Sequence, residues 1–224
     1  MTDLALLRLL QLASPALPVG AFSYSEGLET LVEQRVIQGC DDLAHWLTQE
    51  LNYGAIRIEA AVMVRSHRHA QAQEFARLAH WNRWFSALRE TQELRQQSWQ
   101  MGRALIRTVE QIHPELQPAI EACGVPCNFA VAFGLTAAHW QIPLRSALSG
   151  YLHSWATNLV NAAVKLVPLG QTAGQRTLLE LYPAMAAAAT AIAALSDDEL
   201  DTSGWGSGLA SMQHEALYSR LFRS

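Results

Sequence analysis

Between Leu144 and Leu166 the apolar side chains stand at Leu144, Ala147, Leu148, Tyr151, Leu152, Trp155, Leu159, Ala162, Ala163 and Leu166. These positions recur at spacings of three, four, seven and eight, the stripe along one face of a helix, which a strand of period two cannot use. Pro143 sits where a first-turn proline is tolerated, and Pro168 ends the run. The same period runs through nearly all of the chain, while two-residue alternation is almost absent. The expected fold is therefore all-α.

Helix starts are marked by capping-box spacings at Ser23 and Glu26, Thr172 and Gln175, and Ser196 and Glu199. Asp41 is placed to cap a helix reaching about Met63. Residues 72–85 and 87–110 read as amphipathic helices, 128–140 as a buried one, and the alanine-rich 175–194 as a helix packed closely on its neighbours. Turns are expected at 15–20, 113–118, 124–126, 168–174 and 202–208, where proline and glycine cluster. With no repeat and no linker, residues 1–224 read as a single domain, a bundle of roughly eight to ten helices.

Composition removes several classes of function. The chain has 224 residues, of which 50% are hydrophobic and 16% charged, so it can bury a core and is not disordered throughout. A net charge of −4 takes away the electrostatic basis for binding nucleic acid. Three cysteines, Cys40, Cys123 and Cys127, cannot all pair within one chain, which favours a reducing cytoplasm. The first residues lack the basic start of a signal peptide. Three stretches, 122–144, 146–164 and 181–196, hold no charge, but each is interrupted by polar residues or proline, or is short. Buried helices are expected there, not membrane spans. Charge is also uneven: 111–196 carries only Glu115, Glu121, Arg145, Lys165, Arg176 and Glu180, so this half forms the interior or a face covered by another chain.

Catalytic motifs are scarce. His67 and His69 diverge by about 200° on a helix, so they are poor joint ligands and read as part of a solvated face with Arg65 and Arg68. Cys123 and Cys127, spaced through Gly124 and Pro126 with no second pair, read as small buried thiols instead of a zinc site. No Glu-x-x-His repeat, G-x-S-x-G, H-E-x-x-H or P-loop occurs. No histidine is assigned as a ligand, and no cofactor is expected beyond a transient passage of metal. Asp197-Asp198-x-x-Asp201 has the spacing with which helical prenyl-diphosphate synthases hold magnesium, and such an enzyme is the alternative reading. Against it, Asp41-Asp42 lacks a third aspartate, and an acidic first turn capped by Ser196 suits the helix dipole.

Three features read better as contact surfaces. Lys165 is the only lysine in the chain and ends a polar stripe of Ser154, Asn158, Asn161 and Lys165 on the most apolar helix. It is either a cation at a helix C-terminus or the charge that sets the specificity of a partner or water-filled seam. Residues 14–29, SPALPVGAFSYSEGLE, form an ordered turn in which Gly20 and Gly27 permit close approach or unusual dihedrals. The C-terminal segment ends with Leu221 and Phe222 between Arg220 and Arg223, apolar side chains that need cover from their own bundle or from a partner.

At these residues the chain resembles the UreF family of urease accessory proteins. The resemblance rests on SPALPVGAFSYSEGLE (14–29), VAFGLTAAHWQIP (131–143), AAVKLVPLGQTAGQ (162–175) and SMQHEALYSRLFRS (211–224), in order along the chain. It implies an all-α, non-enzymatic homodimer. It also implies a cytoplasmic complex with UreD (UreH in some systems) and the GTPase UreG that delivers nickel to apo-urease. It further implies a bridge between UreD and UreG, and modulation of GTP hydrolysis. By the matching blocks, Lys165 with Asn158, Asn161, Gln171 and Gln175 is expected to contact partners, together with Tyr24 and Glu26. The same holds for His214, Glu215, Tyr218, Arg220, Phe222 and Arg223 of the tail at 203–224. A nickel-storage bundle is a third reading.

Overall fold

The computed structural model describes residues 1–201 and 205–224. Part of the turn expected at 202–208, and the first two residues of the tail at 203–224, lie outside the described residues. Among the described residues there are eleven α-helices and no strand: α1 (Asp3–Leu12), α2 (Leu28–Glu33), α3 (Cys40–Tyr53), α4 (Ala55–Gln71), α5 (Phe75–Leu88), α6 (Gln92–Ile112), α7 (Gln117–Cys123), α8 (Phe129–His139), α9 (Leu144–Leu166), α10 (Gln171–Ala194) and α11 (Trp205–His214). The all-α expectation holds, with one helix more than the range anticipated.

The extra helix comes from Gly54. The helix expected to run from Asp41 to about Met63 stops at Tyr53, and α4 starts at Ala55, because Gly54 is extended at φ −86° and ψ −176°. A Cβ at Gly54 would lie 2.8 Å from Cα of Glu50, a backbone atom, so a side chain there would force the turn to shift. Asp41 is not the cap: Gly39 takes that position, and the Asp42 carboxylate accepts from the Gln38 N–H at 2.9 Å. Two expected capping boxes also fail. α10 starts from Gly170, not Thr172, and α2 starts from Gly27, beyond Ser23 and Glu26. The third is present, with both the N–H and the hydroxyl of Ser196 donating to Glu199 at 2.8 Å. Thr2 and Thr91 cap α1 and α6.

The described residues form two compact units, each assembled from two separate stretches. The first comprises Met1–Gly20 and Glu59–Tyr151. Its centre is α8, every residue of which from Phe129 to Ala138 is buried. Gly134 brings α8 against α4: a Cβ there would lie 2.5 Å from the Met63 carbonyl oxygen. Phe129, Phe133 and Tyr151 form an aromatic cluster with centroids 4.9 to 5.9 Å apart. Asn82 and Asn128 join in a buried amide network, which Asn82 extends to the carbonyls of Cys123 and Pro126. Cys123 and Cys127 are buried free thiols, as the sequence reading held; hydrogen bonding with Cys123, and then burial, push Cys127 up.

The reading of residues 65–69 as a solvated face is corrected. Arg65, Ser66 and His67 are buried, because α4 runs through this unit with Ala60 to Val64 buried ahead of them. Arg65 lies over the Trp81 ring at 5.0 Å and donates to the Ala61 carbonyl, and His67 Nε2 is 2.8 Å from the Ile142 carbonyl. Only Arg68 of the group is exposed.

The second unit comprises Ala21–Ile58 and Leu152–Ser224. In it α10 packs on α3, and α11 packs on α2. At 24 residues, α10 is the one helix among the described residues long and apolar enough to cross a membrane, and 39% of its apolar window is buried. Its inward stripe is Gly174, Thr177, Leu178, Leu181, Met185, Ala188, Ala189 and Ile192. Pro183 does not break it, because it lies on the exposed face, where water can replace the lost hydrogen bond. The close packing expected of this alanine-rich helix holds for one face only; Ala186, Ala187, Ala191 and Ala194 are exposed.

Candidate partner-contact site

In the second unit the chain turns back on itself where Glu26 and Gly27 both take left-handed conformations, at φ 53° and 82°. Gly27 is required there twice over: by its φ, and because a Cβ would fall 2.8 Å from that of Ala210 and 2.9 Å from the Ser211 nitrogen. A glutamate in that region is uncommon and needs support. Trp155 supplies it, its indole N–H donating to the Glu26 carboxylate at 3.0 Å.

This turn holds the end of the chain. The N–H groups of Ser25 and Glu26 both donate to the Ser224 carbonyl, at 2.6 and 3.0 Å, and the Ser25 hydroxyl adds a third bond at 2.8 Å. Convergent amides of this kind form a nest for an oxygen. One residue back, the Arg223 N–H donates to the Ser23 carbonyl at 2.9 Å. The Glu29 carboxylate then takes the N–H groups of Leu221 and Phe222, at 2.7 and 3.0 Å, and lies 3.2 Å from Nε2 of the buried His214. Phe222 is buried, and the ammonium of Lys165 lies 5.5 Å from its ring centroid. Burial raises the Tyr24 phenol above its ordinary range, and the hydrogen bond and charge of Arg223 oppose that rise. The Tyr24 carbonyl accepts from the Asn158 side chain at 3.1 Å.

Seven of the residues singled out from sequence thus meet in this dock, directly or through Glu29 and Ser224: Tyr24, Glu26, Asn158, Lys165, His214, Phe222 and Arg223. Asn161 is half-buried on α9 between Asn158 and Lys165. Gln171 and Gln175 are exposed in the first turns of α10, and Glu215, Tyr218 and Arg220 are exposed on the segment leading to the dock. Of the two covers considered for Leu221 and Phe222, the chain itself supplies the one over Phe222, while Leu221 stays 63% exposed.

Sequence reading missed Ser25, Glu29, Trp155 and Ser224. A half-buried carboxylate serving backbone amides 192 and 193 positions away leaves no periodic mark. The acidic segment 197–201 forms a short 3₁₀ turn at Asp197–Glu199; hydrogen bonds from Ser196 hold the Glu199 carboxyl below its usual range, and Asp201 pairs with Arg57 at 3.3 Å. Nothing in this arrangement supports the prenyl-diphosphate synthase alternative. A separate group of possible metal donors, His113, Glu115 and His139, lies in the first unit.

Beside the dock, α11 presents Trp205, Leu209 and Met212, 73%, 56% and 53% exposed, at offsets of zero, four and seven along one face. Among the described residues, then, the fold and site define an all-α protein whose chain end is clamped beside an exposed apolar helix face. A family model described as UreF matches residues 37–182. Over all 224 residues the chain is 58% identical to the urease accessory protein UreF of a Nostoc species, covering 98% of that protein. It is 51% identical to that of Thermosynechococcus vestitus over the whole of both chains, and 48% identical to that of a Synechocystis species. The chain belongs to the UreF family of urease accessory proteins.

Proposed function

We propose that this chain is a non-enzymatic urease maturation factor that bridges UreD (UreH) and the GTPase UreG in a cytoplasmic complex delivering nickel to apo-urease. The observation that carries this reading is the clamped tail with the apolar face beside it. Trp205, Leu209 and Met212, followed by Tyr218 and Leu221, form a set of large exposed side chains, where most single-chain proteins expose such groups singly. Aromatic residues and methionine are the groups that dominate protein interfaces. Lys165, exposed and held over Phe222, ties the polar seam of α9 to the same dock. It is the residue proposed to couple the bundle to UreG and so to modulate GTP hydrolysis.

The chain is also proposed to be a homodimer. The exposed alanines of α10, with Leu179 and Tyr182, are the face on which two copies approach, because small side chains permit close helix packing. Reconstitution tests the main proposal: apo-urease, nickel, bicarbonate, GTP, UreD and UreG, with and without this chain. Activation that depends on the chain, and falls when residues 211–224 are deleted, is the expected result. Activation indifferent to its omission would remove the reading.

A further inference from the structure

His113 caps the C-terminus of α6, Glu115 follows in the short 3₁₀ turn at Pro114–Leu116, and His139 is the last residue of α8. Glu115 Oε1 lies 3.0 Å from Nδ1 of His113 and 3.1 Å from Nε2 of His139, and the two rings stand edge to face with centroids 4.7 Å apart. All three donor atoms fall within 4.8 Å of one another. Two donors at right angles on an ion with bonds of about 2.1 Å stand about 3.0 Å apart, which is the spacing of both edges through Glu115.

We propose that His113, Glu115 and His139 form a binding site for a single borderline dication of the Ni²⁺ or Zn²⁺ type. Two imidazole nitrogens and one carboxylate suit such ions, whereas Mg²⁺ and Ca²⁺ call for oxygen donors. The place is favourable for positive charge, since the negative ends of two helix dipoles, those of α6 and α8, meet at these residues. The side chains are accessible, at 25%, 59% and 27% exposure, so an ion can enter and leave, and three protein donors leave the remaining coordination positions to water.

Two features keep the site weak. The indole N–H of Trp140 donates to Nε2 of His113 at 2.9 Å, which places the imidazole proton on Nδ1, facing Glu115. An ion taking Nδ1 moves that proton to Nε2 and breaks the bond from Trp140. The Arg8 guanidinium, 3.0 Å from the Trp140 carbonyl, adds positive charge nearby. The proposal rests on this donor geometry and not on the accessory role.

Equilibrium dialysis of the full chain against Ni²⁺ and, separately, Zn²⁺, with Mg²⁺ as the control, tests it. One Ni²⁺ or Zn²⁺ per chain is expected, with no Mg²⁺ retained at the same concentration. Affinity is expected to fall at least tenfold in both His139→Ala and Glu115→Ala, whose helical circular dichroism should match that of the parent chain. Anomalous diffraction from crystals of the unaltered chain soaked in either ion gives a second readout that needs no variant. Its strongest peak belongs between the three side chains. Unchanged affinity in both variants, or a strongest peak at another cluster, would overturn the assignment.

Discussion

In the dock, Glu29 holds two backbone amides and a buried imidazole while itself only 12% exposed. Hydrogen bonds to a charged group are worth about 1.5–3 kcal/mol, so Glu29→Gln should loosen the tail by about that amount. The amides of Leu221 and Phe222 should then exchange with solvent at least tenfold faster; unchanged exchange would mean that the Ser25 and Glu26 amides suffice. His67 sets a pH dependence. Burial lowers its imidazole below the ordinary range, the hydrogen bond to Ile142 opposes this, and Arg68 lowers it further. Its Nδ1 is buried without a partner, so protonation would place a charged donor in the core. The unfolded chain takes up that proton near pH 6.5 while the folded chain does not, so stability is full above about pH 6.5 and falls as pH drops below it, down to the lowered folded value. Urea midpoints at about pH 7.5 and about pH 5.5 should therefore differ, and His67→Gln should narrow the difference. His153, also lowered by burial, contributes with the same sign and keeps part of the slope in the variant.

Among the elements, α4 and α8 approach each other as closely as Gly134 allows. A Cβ at this position would meet the Met63 carbonyl at 2.5 Å, Ser66 Cβ at 2.7 Å and the His67 nitrogen at 3.0 Å, two of the three being backbone atoms that cannot rotate away. Gly134→Ala should cost about 1–3 kcal/mol, read as a lower urea midpoint with unchanged helicity. The outer face of α10 makes the opposite case, since substitution there meets only solvent in the single chain. Ala187→Glu should leave the unfolding transition within about 0.5 kcal/mol while shifting the mass seen by light scattering from dimer to monomer. A dimer that survives would place the interface elsewhere. Helix boundaries depart further from the sequence pattern than the helices themselves do. Gln73 at φ 57° and the extended Arg89 push the starts of α5 and α6 to Phe75 and Gln92, beyond the expected 72 and 87.

For the whole molecule, the decisive comparison is between Lys165→Ala and removal of residues 211–224. Lys165 is exposed, and its stacking over Phe222 is worth about 0.5–1 kcal/mol, so the variant should fold normally yet weaken capture of UreG in a pull-down. Deleting the tail removes Phe222, Ser224 and the buried His214 together and should weaken assembly of the whole complex; an unaltered affinity in titration would take the tail out of the mechanism. The seam and the tail were each legible from residue type and spacing. Their meeting was not, because Ser25 and Ser224 are 199 residues apart and joined through the Ser224 carbonyl, a group that every residue possesses.

The apolar period along the chain determined by itself that this protein is helical, since a stripe at every third and fourth residue has only one regular way to become buried. The four sequence blocks likewise carried the family. What the tertiary structure alone decided is which polar groups become partners. Residues 65–67 are buried instead of solvated, Glu29 clamps the tail, and His113, Glu115 and His139 converge, although 26 residues separate the two histidines. The physical reason is range. Periodicity reports which face of a helix avoids water, but a hydrogen bond or a ligand set needs atoms about 3 Å apart, and only packing brings distant segments that close.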